Sequence, residues 1–179
     1  MIAIRSEHPA DIAAREALLD AAYGPGRFAK PSQRLRERRD PALAFVAVEH
    51  SRIVGTVRLW PVAAGSVGPA LLLGPLAVAP GCRRRGIGAA LMRRAIRAAR
   101  LAGHAAVLLV GDAAYYRRFG FSAAKTAALS IAGLAERDRL LALELAAGVL
   151  DGARGAIRAS AACRPIPRAA GPIPAAQAA

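Results

Sequence analysis

A segment in the middle of the chain combines the residue types that bind phosphate groups. An apolar run ends at Val78, a Pro-Gly turn and three arginines follow, and Gly86 and Gly88 then open a helical pattern. Glycine has no Cβ, so its backbone can approach a ligand closely. The first amides of a helix lack partners within the helix, and the helix dipole attracts anions there. We therefore predict a phosphate cradle, with added side-chain charge from Arg83, Arg84 and Arg85.

The spacing of the two glycines narrows the kind of phosphate ligand. A dinucleotide fingerprint needs a third glycine where Leu91 stands, and the chain lacks the Gly-Lys-Ser or Gly-Lys-Thr sequence of a P-loop. The pattern Arg83-x-x-Gly86-x-Gly88, after an apolar strand, resembles the pyrophosphate loop of the GNAT superfamily of acetyl-CoA-dependent N-acetyltransferases. The resemblance covers roughly residues 1–150. It implies the α/β GNAT acyl-CoA N-acyltransferase fold, a mixed central sheet of about seven strands flanked by helices, and acetyl-CoA as co-substrate without a metal.

A second motif lies downstream. Tyr116-x-x-x-Gly120-Phe121 is similar to the second signature of that family, a short helix leading into a strand. The resemblance implies that Tyr116 lies beside the CoA sulfur and protonates the leaving thiolate. Tyr115 is the alternative acid, because only one of two adjacent side chains can point inward. We expect Gly120 to end the helix in a left-handed conformation and Phe121 to begin a core strand.

The resemblance also assigns residues to the cofactor. It implies that backbone amides at the end of the apolar strand bind the pantetheine arm like an added strand and polarise the thioester carbonyl. The residues expected to bind the cofactor are Leu76, Ala77, Val78, Arg83, Arg84, Arg85, Gly86, Ile87, Gly88, Ala89 and Tyr115. One position departs from the family: Leu109 stands where many members have an asparagine that binds pantetheine.

No motif identifies the group that would deprotonate an acceptor amine. Glu49 and Asp112 are candidates for this base. Each can also be explained without catalysis, as a surface residue or as a helix-capping residue. Deprotonation through water is an equal alternative. Cys82 is not needed as a nucleophile, because the family transfers the acetyl group directly.

Hydropathy patterning predicts the elements that position these motifs. Strands are expected over 2–5, 70–78 and 105–110, a hairpin over 42–49 and 52–62, and two last strands near 124–131 and 139–145. Helices are expected from Pro9 to about residue 22, over 86–102, and after a capping Asp112. The pattern indicates one domain over 1–158, a mixed sheet with helices on both faces, and a disordered Ala/Pro/Arg tail over 159–179.

Charge points to a polyanionic partner. The 179 residues carry a net charge of +14, with 26 basic and 12 acidic residues. Residues 83–100 contain seven arginines and no acid, beginning at the predicted cradle. Residues 27–39 contain six basic residues and one acid, and are expected to form a short polar helix, either a solvated face or a lip over a binding groove.

Composition excludes several classes of protein. Two distant cysteines and three scattered histidines give neither a disulfide framework nor a metal-ligand spacing. The apolar runs are too short to cross a membrane, and the N-terminus lacks the pattern of a signal peptide, so we expect a cytoplasmic protein.

These features predict an acyltransferase that moves an acetyl group from acetyl-CoA to a primary amine of a small molecule or a protein. The alternative is a non-catalytic basic module of the same fold that contacts RNA or ribosomes. The acceptor, the acyl-chain preference and the oligomeric state, a homodimer included, stay open.

Overall fold

The computed structural model describes residues 1–160, in which eight strands and three α-helices occur. The strands are β1 (Ile2–Ser6), β2 (Leu43–Glu49), β3 (Arg52–Ala64), β4 (Pro69–Val78), β5 (Ala106–Val110), β6 (Leu129–Ser130), β7 (Leu140–Glu144) and β8 (Gly155–Ala159). The helices are α1 (Ile12–Tyr23), α2 (Ile87–Leu101) and α3 (Ala113–Tyr116).

The strands form a mixed sheet in the order β1-β2-β3-β4-β5-β7. Neighbours along this path are antiparallel except β4 and β5, which are parallel. The far end of the long strand β3 also pairs with β8, which in turn pairs with β6. The expected mixed sheet is therefore confirmed, with eight strands instead of about seven.

Each face of the sheet is covered by a helix. The side chain of Ala77 packs with Leu18 and Leu19 of α1, whereas Leu76 and Val78 join the apolar cluster of α2. Because successive strand side chains point to opposite faces, the two helices lie on opposite sides of the sheet. The apolar face of α2 is buried through Ile87, Leu91, Met92, Ala95 and Ala99. Helices on both faces are confirmed.

The sheet is split at its parallel pair. The pairing of β4 with β5 consists of Leu71 with Val107 and Leu72 with Leu108. Both strands continue beyond these pairs, β4 to Val78 and β5 to Val110. The second half of β4 is therefore bonded to β3 on one side and open on the side that faces β5.

Three segments differ from expectation. Residues 27–39 form short turns rather than a helix, because Lys30, the residue before Pro31, is extended and separates the 3₁₀ turns Pro25–Ala29 and Pro31–Gln33. The strand expected over 124–131 is reduced to Leu129–Ser130. The strand Gly155–Ala159 is unforeseen, since its only support is pairing with distant residues.

The domain boundaries stay a prediction. Ala159 ends β8, and residues 161–179, on which most of the predicted tail falls, lie outside the described residues. Within the described part of the chain, no helix is long and apolar enough to cross a membrane.

Candidate active site

The start of α2 has the backbone geometry of an anion cradle. Gly86 is the N-cap residue with φ +78°, and no side chain caps the helix amides that follow. Arg84, with φ +63°, also adopts the left-handed conformation. A Cβ at Gly86 would meet no protein atom within 4 Å, so the space in front of these amides is open. The amides are therefore available to a ligand phosphate.

A cavity in front of this helix start, the phosphate cavity, collects most of the predicted loop residues. It is lined by Val78, Cys82, Arg83, Arg84, Gly86, Ile87, Gly88, Ala89, Tyr115 and Arg118. Three arginines and no acidic residue line it, so its field favours a polyanion. Most of the residues predicted to bind the pyrophosphate therefore lie around one cavity.

Arg85 and Arg118 differ from expectation. The guanidinium of Arg85 donates two hydrogen bonds to Glu49, with N···O distances of 2.9 and 2.6 Å, and it does not line the phosphate cavity. This pairing also holds the pKa of Glu49 below its usual value. Arg118 takes the third arginine position instead, stacked 4.7 Å from the centre of the Tyr115 ring. Arg118 follows Tyr115 by three residues, a spacing that makes two side chains neighbours on a helix. This spacing is the feature of the sequence that could have indicated Arg118.

The open edge of β4 continues from the cavity. The backbone amide of Ala79 donates a hydrogen bond to the Val54 carbonyl of β3. Because hydrogen-bonded residues alternate along an antiparallel pair, Ala79 and Ala77 are the residues whose backbone groups are bonded to β3. In an antiparallel pair the residues between them, Leu76 and Val78, point their backbone groups the other way. The backbone groups on the open edge are therefore those of Leu76 and Val78, whereas the amide of Ala77 is directed to β3.

The two adjacent tyrosines serve different cavities. The hydroxyl of Tyr115 would lie 3.2 Å from a Cβ at Gly88, at the phosphate cavity. Tyr116 lines a second cavity at the split between β4 and β5, beside Leu76 and Val110. The rings meet edge to face, with centroids 4.9 Å apart. This arrangement places Tyr115 with the cofactor loop and Tyr116 at the far end of the open edge.

Tyr116 is held by close packing. A Cβ at Gly111 would come within 2.2 Å of its ring, and Phe121 lies 6.1 Å away between ring centroids. Gly120 ends the helix with φ +88° as expected, and Phe121 is buried, although no strand begins there. Burial raises the pKa of the Tyr116 hydroxyl above its usual value, with Tyr23 and Tyr115 adding to the effect. Tyr116 thus stays protonated at neutral pH and can donate a proton.

The second cavity, here called the tyrosine cavity, is walled by the 23–36 segment on one side and by β4 on the other. Its lining is Tyr23, Arg27, Lys30, Ser32, Gln33, Arg36, Leu72, Leu73, Gly74, Pro75, Leu76, Val110 and Tyr116. The hydroxyl of Tyr23 donates to the Leu76 carbonyl, and the Trp60 indole donates to the Gly74 carbonyl at 2.6 Å. No motif in the sequence indicates Tyr23, the last residue of α1, as a residue of the site.

The two candidates for the base that would deprotonate the acceptor amine lie outside the tyrosine cavity. Glu49 is paired with Arg85, and Asp112 caps α3 by accepting from the Ala114 amide at 2.9 Å. Neither lines the tyrosine cavity, whose described lining contains no carboxylate and no histidine. Leu109, at the position of the family's asparagine, is buried in the core. Within residues 1–160, no three His, Cys, Asp or Glu side chains are grouped so as to hold a metal ion.

Comparisons with known proteins agree with this geometry. Residues 40–123 match the family model described as an acetyltransferase (GNAT) domain. A GNAT family N-acetyltransferase of Escherichia coli (YhbS), solved in complex with CoA, is 29% identical; the match covers 89% of each chain with a TM-score of 0.75. A GNAT family acetyltransferase of Brucella melitensis, solved with acetyl-CoA, is 28% identical, with 90% of this chain and 97% of that chain covered and a TM-score of 0.69.

No match is found among curated proteins. The family model spans the segment from β2 to beyond α3, and therefore contains the split strand, the phosphate cradle and both tyrosines. The two structural matches extend the likeness over most of the chain. The chain thus matches a GNAT acetyltransferase domain over residues 40–123 and is similar to GNAT family acetyltransferases over most of its length.

Proposed function

We propose that the protein transfers the acetyl group of acetyl-CoA directly to a primary amine. The observation that carries the proposal is a path marked by two cavities at the end of β4: the phosphate cavity at the α2 start is lined by Val78, and the tyrosine cavity is lined by Leu76 and Tyr116. The similar proteins of Escherichia coli and Brucella melitensis were solved with CoA and acetyl-CoA, which supports this choice of donor. A cytoplasmic location and any homodimer stay predictions.

The residues along this path fit the parts of acetyl-CoA. The helix amides after Gly86, with Arg83, Arg84 and Arg118, would hold the phosphates. The outward backbone groups of Leu76 and Val78 would hold the amide-bearing pantetheine arm as a strand holds its neighbour. Acetyl-CoA supplies the activated acetyl group when bound.

The chain's own groups then divide the chemistry. The amides of the open edge polarise the thioester carbonyl, which makes its carbon a better target for the amine nitrogen. As the carbon–nitrogen bond forms and the carbon–sulfur bond breaks, Tyr116 donates its hydroxyl proton to the departing thiolate. The proton that leaves the amine passes to water, and water returns a proton to Tyr116.

The lining of the tyrosine cavity predicts a simple dependence on pH. Because no carboxylate or histidine of the described residues lines the cavity, the neutral amine must come from ionisation of the acceptor itself. We expect kcat/KM to rise about tenfold per pH unit up to the pKa of the acceptor amine, and then to level off. Two acceptors with different amine pKa values should give profiles displaced by that difference. Profiles that share one inflection independent of the acceptor would instead reveal a base in the protein.

Calorimetric titration with acetyl-CoA tests the proposal directly. We expect a dissociation constant below about 1 mM, within the usual range of enzyme substrates. A parallel titration with single-stranded RNA over a salt series tests the alternative binding module. Absence of acetyl-CoA binding together with tight, salt-sensitive RNA binding would overturn the enzyme in favour of that module.

A further inference from the structure

Arg36 projects from an irregular turn into the tyrosine cavity, and the proposed reaction does not use it. The side chain is half-buried. Its Nε donates to the Ser32 carbonyl at 3.0 Å and its Nη2 to the Ser32 hydroxyl at 2.7 Å. Both contacts are within its own turn, so they orient the guanidinium without neutralising its charge.

The remaining nitrogen of Arg36 lies close to Gly74 of β4. Nη1 lies 3.8 Å from the position that a Cβ on Gly74 would take, and Gly74 also lines the cavity. Within residues 1–160, neither an ion pair nor a hydrogen bond joins Arg36 to a carboxylate. Burial lowers the pKa of Arg36 to about 10, so the group keeps its charge at neutral pH.

Of the two other cations that line the cavity, Arg27 has carboxylate partners, whereas Lys30, like Arg36, has none among the described residues. Arg27 is neutralised by Glu16 and by Asp20, the latter at 2.7 Å. Lys30 lies 4.4 Å from the centre of the Tyr23 ring. Burial lowers the pKa of Lys30, and the nearby charges of Arg139 and Arg36 lower it further. The described lining contains no acid, so the cavity has an uncompensated positive field.

A half-buried arginine without a carboxylate partner is costly unless an anion completes its hydrogen bonds. The planar guanidinium fits two oxygens of one carboxylate or phosphate group. Tyr116 lines the same cavity, so an anion on Arg36 and an amine beside Tyr116 would belong to one small molecule.

We propose that the acceptor is a small amine that also carries an anionic oxygen group, a carboxylate or a phosphate, and that Arg36 binds this group. The inference rests on the proposed function and names the substrate class of that site. Arg36 determines specificity here; it takes no part in the proton transfers.

The experiment compares amines with and without the anionic group, and kcat/KM is calculated for the neutral amine, because the anionic group also changes the pKa of the amine. The panel contains the eighteen proteinogenic amino acids that have a primary amine and no thiol, each with its carboxamide, and phosphoethanolamine with ethanolamine. The release of CoA is followed with a thiol reagent. We expect the best acceptor to exceed its neutral counterpart in kcat/KM by at least about tenfold, the effect of one charged hydrogen-bonded contact. A preference within the amino acid pairs would identify a carboxylate as the group that is bound. A preference within the phosphoethanolamine pair would identify a phosphate.

Variants then assign the preference to Arg36. Arg36→Gln should bring the anionic and neutral partners of the best pair to similar kcat/KM by lowering only the anionic one, with acetyl-CoA affinity unchanged. Arg36→Lys keeps a charge without the planar fork and should retain part of the preference. Arg34→Gln is the matched control, since Arg34 is exposed and does not line the cavity.

The outcomes separate the two proposals. Failure to bind acetyl-CoA overturns the proposed function. Binding of acetyl-CoA with a preference for the neutral amines, with no reaction of any anionic amine, or with an Arg36→Gln variant that lowers both partners equally, overturns the inference alone.

Discussion

The Tyr116→Phe variant should turn over acetyl-CoA about 100-fold more slowly than the unaltered protein, with its affinity for acetyl-CoA changed by less than about threefold. The substitution removes one hydroxyl from a ring that is otherwise packed against Phe121 and Tyr115, so the cavity keeps its shape. What is lost is the proton for the leaving thiolate, an interaction made only as the carbon–sulfur bond breaks. Steady-state kinetics beside calorimetry separates these two effects.

Two further variants bracket this result. Tyr115→Phe is the matched control: its hydroxyl lies at Gly88 rather than in the tyrosine cavity, so turnover should fall little. Gly111→Ala keeps the Tyr116 hydroxyl but places a Cβ within 2.2 Å of the ring, which must move, so kcat should fall again. Unchanged turnover in Tyr116→Phe would assign the proton to Tyr115 or to water.

The Gly86→Glu variant should lose affinity for acetyl-CoA by about 100-fold or more. A carboxylate would occupy the open space before the α2 amides, where it repels phosphates and competes for the same donors. The left-handed backbone at φ +78° adds about 1–2 kcal/mol of strain for a residue other than glycine, which favours a displaced loop. Calorimetry measures the loss, and thermal unfolding shows whether the fold persists.

Gly152→Glu is the matched control for that charge and strain. Gly152 has φ +69° and, like Gly86, no protein atom within 4 Å of an added Cβ. It lies in the segment between β7 and β8, so the same substitution there should lower thermal stability similarly and leave acetyl-CoA binding intact. Retained binding in Gly86→Glu would mean that the phosphates dock elsewhere.

The backbone features around the candidate cofactor loop could be predicted because local chain features determine them. The apolar run before Val78 requires a buried strand, and Gly86 and Gly88 require an accessible helix start. The left-handed Gly120 and the capping Asp112 follow from short-range turn chemistry in the same way.

The features that were missed depend on distant contacts. Arg85 turns away from the cradle because the β2–β3 hairpin brings Glu49 to it from 36 residues earlier. β8 is strand only because β3 extends far enough to pair with it. Arg36 lines the tyrosine cavity from an irregular turn after the extended Lys30, whereas a solvated helix would have directed its charges outward.

The irregular segment over 24–40 has an evolutionary consequence. It supplies much of the wall of the tyrosine cavity, yet its backbone hydrogen bonds join residues within the segment or at the end of α1 and do not pair it with the sheet. Loops of this kind tolerate substitution and length changes far better than strands do. The sheet and α2 would keep the donor and its chemistry while this wall diverged, so relatives of this fold could acquire new acceptors by changing only a few turn residues.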